Sequence, residues 1–327
     1  MRILVTGGCG FIGSNFLNLM VPRFPQHSFL NVDVLTYAAN PANVLVTHKP
    51  NYIFSQTDIT DRPIIRKIFE IYRPEWVINF AAESHVDRSI GNPDKCIETN
   101  VLGTVNLLDA CLKVWKDTTS KIYLQISTDE VYGDLPVGTL PYTESTPYQP
   151  STPYAASKAA ADHFVKIYHK TYGLPTLISN CTNNYGPGQH DEKFIPKIIG
   201  LIDKQQPLTL HGRGQHIRDW IFVDDHCEAV WQVLNTGKIG ESYNIGGGME
   251  LTNFDVVQYL CQLMAPRLQQ PYEELIKHVV FMPDRPANDF RYALDFSKIK
   301  QEFGWVPSTS FVTGLQKTLD NIFGPTL

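Results

Sequence analysis

Arg2-Ile3-Leu4-Val5-Thr6-Gly7-Gly8-Cys9-Gly10-Phe11-Ile12-Gly13-Ser14 reads as an apolar strand, a glycine turn and the start of a helix through Met20. Two glycine registers fit this stretch: Gly8, Gly10 and Gly13 match G-x-G-x-x-G, and Gly7, Gly10 and Gly13 match G-x-x-G-x-x-G. Either brings backbone close to a pyrophosphate at a helix N-terminus, where unpaired N–H groups and the helix dipole favour anions. A second strand, Phe29-Leu30-Asn31-Val32, ends in Asp33, twenty residues beyond Gly13. A carboxylate there binds both hydroxyls of an adenosine ribose and repels a 2′-phosphate, so the expected cofactor is NAD rather than NADP.

Working outward, strands and helices keep alternating. Tyr52-Ile53-Phe54 leads to Asp58-Ile59, a helix follows from about Asp61 to Tyr72, and Trp76-Val77-Ile78-Asn79-Phe80 is the next strand. This order predicts an α/β fold with a Rossmann-type, doubly wound parallel sheet. Apolar residues at three- and four-residue intervals predict one long helix from Ile97 to Trp115 and another from Tyr154 to Tyr172. The regularity fades after Leu177, and Tyr185-Gly186-Pro187-Gly188 marks a turn. We therefore expect a cofactor domain over residues 1–180, with segments near 215–250 returning to it. A smaller, mixed α/β substrate domain is expected over residues 181–327.

Composition narrows the function classes. The 327 residues carry a net charge of −5, and the 28 basic residues are scattered, which argues against a nucleic-acid surface. No apolar run is long enough to cross a membrane, and the opening strand has no basic region ahead of a longer apolar stretch. Six widely spaced cysteines without metal-ligand spacing fit free thiols, so a cytoplasmic protein without a metal site is expected.

The chemistry gathers after the apolar run Ile122-Tyr123-Leu124-Gln125-Ile126, at Ser127-Thr128-Asp129-Glu130-Val131-Tyr132-Gly133. Tyr154 and Lys158, spaced i, i+4, share one helix face. An ammonium beside the phenol is expected to lower the tyrosine pKa, so that the phenolate takes a hydroxyl proton as hydride leaves the same carbon. Asp129 and Glu130 are more than such an oxidation needs; neighbouring carboxylates held in different environments serve as acid and base. Three later clusters, Asp191–Pro196, His216–Trp220 and Asp284–Tyr292, supply basic residues suited to a second phosphate-bearing ligand.

With STDEVYG at 127–133, PYAASKAAAD at 153–162, NNYGPGQHDEKFIP at 183–196 and RDWIFVDDH at 218–226, the chain resembles the extended short-chain dehydrogenase/reductase family, and within it the nucleotide-sugar 4,6-dehydratases. The resemblance implies a lyase that recycles its NAD and converts a nucleotide-glucose to the 4-keto-6-deoxy sugar. It implies that Tyr154, aided by Lys158 and Thr128, takes the proton from the hydroxyl on carbon 4. Glu130 would abstract the proton at carbon 5, and Asp129 would protonate the hydroxyl leaving carbon 6. By the same likeness Gly7, Gly10, Phe11, Ile12, Gly13, Asp33, Thr36, Asp58, Ile59, Ala81, Ala82, Ser84, Thr99, Tyr154, Lys158 and Asn184 line the cofactor. Substrate contacts fall to Ser84, His85, Thr128, Asn183, Lys193, Arg218, Asn253, Arg285 and Asn288. A homodimer through a four-helix bundle is also implied. His211, Ala287 and Asn288 depart from the pattern of the dTDP-glucose enzymes, which leaves dTDP-glucose favoured and UDP-glucose as the alternative. An epimerase or decarboxylase, and a non-catalytic NAD-binding scaffold, are the competing classes.

Overall fold

A computed structural model describes residues 1–284 and 288–325. In chain order its strands are β1 (Arg2–Thr6), β2 (Ser28–Asp33), β3 (Tyr52–Gln56), β4 (Trp76–Asn79), β5 (Ile122–Thr128), β6 (Thr176–Cys181), β7 (Asn183–Tyr185), β8 (Leu208–His211), β9 (Ile217–Phe222), β10 (Ser242–Ile245), β11 (Glu250–Thr252) and β12 (Val279–Met282). Seven form one parallel sheet in the order β10-β6-β5-β4-β1-β2-β3. The order reverses between β1 and β4, and the crevice beyond the carboxyl ends of strands at such a switch point is where α/β sheets bind ligands.

Side chains alternate across this sheet with the two-residue period of a strand. Ile3 and Val5 of β1, Trp76 and Ile78 of β4, and Leu124 and Ile126 of β5 join one core with the helices Phe11–Arg23 and Val223–Thr236. Leu4, Val77 and Tyr123 face the other way, onto the helices Arg62–Tyr72, Thr104–Val114 and Pro153–Tyr172. Both faces are covered, which explains why these strands read as continuous apolar runs.

A third core lies outside the large sheet. The helices Phe194–Asp203, Asn253–Leu268 and Phe311–Phe323 contribute to it, together with β8 and β9. Its strands form the small sheets β11-β9-β7 and β12-β8. β9 and β10 therefore part company: Ile217–Phe222 stays with the small sheet, whereas Ser242–Ile245 pairs with β6 in the large one. Asp219 of β9 fastens the glycine loop after β10 by accepting from Gly247 N (3.1 Å) and Met249 N (2.7 Å).

The expected long helix from Ile97 to Trp115 is wound differently at its start. Ile97–Gly103 makes π-helical turns before the α-helix Thr104–Val114 begins. A Cβ on Gly103 would stand 2.5 Å from Ile59 Cδ1, and Asn100 is turned so that its Nδ2 donates to Glu83 O (3.0 Å) and Ser157 Oγ (2.8 Å). The wider turn goes with a close packing contact at Gly103 and a buried polar bridge at Asn100.

Phe16 ties the first core together, its ring 5.3 Å from Phe80 and 6.3 Å from Trp231. Phe16→Ala is expected to cost about 3–5 kcal/mol in chemical denaturation, because the fully buried ring leaves a cavity its neighbours cannot close.

Candidate active site

The glycine turn meets the end of β4 so closely that side chains are excluded. Gly7 has φ +69°, and a Cβ on it would lie 2.6 Å from Ala81 N; a Cβ on Gly13 would lie 2.3 Å from Gly7 O. Gly7, Gly10 and Gly13 line a cavity of about 490 Å³, while Gly8 faces away toward Asn31 and Leu17. The structure thus selects the G-x-x-G-x-x-G register. Asp33 sits in the same cavity, its carboxylate accepting from Cys9 N (2.9 Å) and Leu35 N (2.8 Å). Burial raises its pKa and these two N–H groups oppose the rise. A backbone cradle with a fixed carboxylate one strand away fits an adenine dinucleotide.

Thr36, Asp58, Ile59, Ala81, Ala82, Ser84, Thr99 and Asn184 line this cavity with Phe11 and Ile12. Thr128, Asp129, Glu130, Tyr154, Lys158, Asn183 and Lys193 line it too. β5 ends at Thr128, whose hydroxyl accepts from Glu130 N (3.3 Å) and so caps the single 3₁₀ turn Asp129–Tyr132. Thr152 caps the helix Pro153–Tyr172 by accepting from Ala155 N (3.2 Å), and this sets Tyr154 and Lys158 in its first turns. Lys193 Nζ donates to Ser84 O (2.8 Å), bridging two walls.

The electrostatics are those of a dry site. Burial, followed by repulsion from Glu130, lifts the Asp129 carboxyl well above its ordinary value and favours the protonated acid. Asp129 Oδ2 has no hydrogen-bond partner among the described residues. Burial and then Glu130 also push the Tyr154 phenol well above its usual pKa, which corrects the expected depression. The Lys158 ammonium donates to Ile126 O (2.5 Å) and is itself disfavoured by burial.

The remaining expected residues lie apart from the cavity lining. His85 caps the helix Val86–Gly91, its Nδ1 accepting from Arg88 N (3.3 Å), and its Nε2 is 3.5 Å from Glu192. Asn253 and Asn288 gather instead around His216, while Arg218 is near enough to Asp129 to oppose the rise of its carboxyl pKa. Asn253 N donates to His216 O (2.9 Å), and Asn288 Nδ2 is 2.9 Å from His216 Nε2. The Arg218 guanidinium donates to Asp289 O (2.8 Å) and lies 4.5 Å over the Tyr292 ring. Arg285 and Ala287 fall outside the described residues. Ser127 and Glu192, from the stretches 127–133 and 191–196, also line the cavity, as do Cys181 and Thr57, which nothing in their local sequence pattern marks out.

Comparison with known proteins places this geometry. The family model described as GDP-mannose 4,6 dehydratase matches residues 4–318. A dTDP-glucose 4,6-dehydratase of Haemophilus influenzae is 47% identical, with 98% of this chain and 97% of the relative covered. The chain belongs to the nucleotide-sugar 4,6-dehydratase family. Within that family it is similar to the dTDP-glucose 4,6-dehydratase of Streptomyces venezuelae, solved with NAD bound, at a TM-score of 0.88 and 41% identity over 98% of this chain and 96% of the other. The fold extends to a UDP-glucose 4-epimerase of Thermus thermophilus in complex with NAD, with a TM-score of 0.87 and 30% identity over 100% of both chains.

The Asp129 environment carries a stability signature. Because its folded pKa is raised, its stabilising contribution is complete below the unfolded value of about 3.9 and is lost as pH rises toward the folded one. Asp129→Asn should therefore raise the thermal midpoint near pH 8, and the gain should vanish near pH 4, as read by calorimetry across that range.

Proposed function

We propose that this family member is an NAD-dependent dTDP-glucose 4,6-dehydratase, a cytoplasmic hydro-lyase that forms dTDP-4-keto-6-deoxy-glucose and water. The observation that carries this reading is that Asp129, Glu130, Tyr154 and Lys158 line one cavity with Gly7, Gly10, Gly13 and Asp33. A dehydrogenase or epimerase has work for the tyrosine and lysine alone; the acid and base beside them suit elimination of water.

Gly7, Gly10, Gly13 and the helix they open would hold the NAD pyrophosphate, and Asp33 the ribose. Bound there, NAD supplies a hydride acceptor that later returns the hydride, along with a pyridinium charge that favours a phenolate. Tyr154, steadied by Thr128 and Lys158, takes the proton from the hydroxyl at carbon 4 as that carbon is oxidised. The new ketone acidifies carbon 5, whose proton passes to Glu130. Asp129, kept protonated by burial, gives its proton to the hydroxyl at carbon 6, which leaves as water. The carbon–carbon double bond so formed is then reduced at carbon 6 and reprotonated at carbon 5.

We assign the cofactor mainly to residues 1–180 with 223–245, and the nucleotide-sugar mainly to the remainder. Ser84, Asn183 and Lys193 would meet the substrate within the cavity, and His85, Arg218, Asn253 and Asn288 at its margin; Arg285 is proposed as a further substrate contact on the resemblance alone. The 45–47% identical relatives named for dTDP-glucose favour thymidine. His211 and Asn288 favour testing uridine as the alternative.

Incubation of purified protein with dTDP-glucose or UDP-glucose, without added NAD, is the deciding assay. Loss of about 18 mass units from dTDP-glucose is expected, together with a 4-keto chromophore in alkali. Loss mainly from UDP-glucose would change the nucleotide, and no loss even with NAD supplied would overturn the dehydratase reading.

A homodimer is the proposed assembly. Ile97 and Leu102 are about half exposed beside the similarly exposed Phe164 and Ile167 of the helix Pro153–Tyr172, and these neighbouring segments suit pairing with their copies. Leu102→Glu is expected to turn the dimer into monomer in sedimentation velocity.

A further inference from the structure

The inference here rests on the reading of Tyr154 and Lys158 given above and concerns what keeps Lys158 useful. Asp162 lies four residues further along the same helix with 0% exposure, so Tyr154, Lys158 and Asp162 share one face at i, i+4 and i+8. Consecutive residues of β5 engage that face. Lys158 Nζ donates to Ile126 O at 2.5 Å, and Ser127 Oγ donates to Asp162 Oδ2 at 2.5 Å. The Tyr148 hydroxyl donates to the same oxygen at 3.1 Å. Asn180 Nδ2 is 3.4 Å from the Tyr148 oxygen and 3.2 Å from the Thr128 carbonyl, so the network reaches the strand end beside Tyr154.

We propose that Asp162 is a positioning residue acting through Lys158: it locks the helix Pro153–Tyr172 onto the end of β5 and supplies the buried negative charge that holds Lys158 as an ammonium on the face it shares with Tyr154. A lysine buried without a carboxylate nearby loses its proton easily, and an uncharged amine gives a phenolate nothing to lean on. The direction of the electrostatics agrees. Burial lowers the Lys158 pKa, and Asp162 is the foremost influence raising it, ahead of Cys181. In return, burial lifts the Asp162 carboxyl above its usual value, and Lys158, followed by Ser127, Lys166 and Tyr148, limits the rise. The other titratable group acting on Lys158 is Cys181 on β6, and Tyr154, Asp129 and Glu130 line the same cavity.

An asparagine at position 162 accepts the same two hydrogen bonds without the charge, which separates packing from electrostatics. The experiment measures kcat against pH for wild type, Asp162→Asn and Asp162→Glu. In parallel it follows the titration of Lys158 in ¹³C-lysine-labelled protein, the resonance being assigned by its loss in Lys158→Met. Because the ammonium is the working form, activity is lost as pH rises through its pKa, and removing Asp162's charge moves that loss to lower pH. Asp162→Asn is expected to lose about tenfold in kcat near pH 8 and to recover as pH falls. Its Lys158 resonance should titrate at correspondingly lower pH, with Asp162→Glu restoring both. A loss equal at every pH, with Lys158 titrating as in wild type, would overturn the proposal and leave Asp162 a packing residue. If Asp162→Asn does not fold, Ser127→Ala carries the same test, since removing the 2.5 Å donor weakens the carboxylate and shifts the limb in the same direction by less. Wild type inactive on dTDP-glucose would overturn the functional reading alone, because the Lys158 titration still decides the role of Asp162.

Discussion

Removal of water from the carboxyl end of β5 is the constraint on which the rest of this structure turns. Asp129, Lys158 and Asp162 are each at most 3% exposed, and Tyr154 is 8% exposed. Ionised groups without hydration are costly unless they answer one another, and the same low polarity makes each interaction among them stronger than it would be in water. The parallel sheet makes such a place available: its faces are sealed by helices, so polar groups at the strand ends meet protein above and below. Each group is set by a backbone feature near it, from the Thr128 cap to the Ile126 carbonyl that receives Lys158.

How much of this could be read from residues alone follows from the range of the interactions. The large sheet was legible because its two covered faces impose apolar runs, and the cofactor cradle because a glycine turn, a helix start and Asp33 occur at fixed spacing. Local spacing could not choose between Gly7 and Gly8, since what separates them is contact with Ala81 and Asn31, residues distant in sequence. The π-turns at Ile97–Gly103 were hidden for a similar reason: their packing partners, Ile59 and Ser157, come from other elements.

The tyrosine was the instructive miss. Spacing puts Lys158 on its face and suggests a lowered pKa, yet spacing says nothing about solvent or about the repulsion from Glu130. Arg218 shows another limit of local pattern: its segment reads as a loop, while in the fold it lies on β9 and its guanidinium also braces the backbone at Asp289. Asp162 was within reach of the same helical spacing that marks Tyr154 and Lys158, but a single carboxylate has no meaning until Ser127 and Tyr148 are seen to converge on it.

The late arrival of β10 has a consequence for how the chain is made. Ser242–Ile245 completes the sheet by pairing in register with Ile178–Cys181, more than sixty residues earlier. On a ribosome, β6 can dock on β5 as soon as both have emerged, yet its outer edge then waits for the whole intervening segment, helix Val223–Thr236 included. An unpaired parallel edge is a template for other nascent chains. Slow passage through residues 182–241 therefore lengthens the interval in which a partly synthesised chain is vulnerable to self-association, and swift closure by β10 ends it.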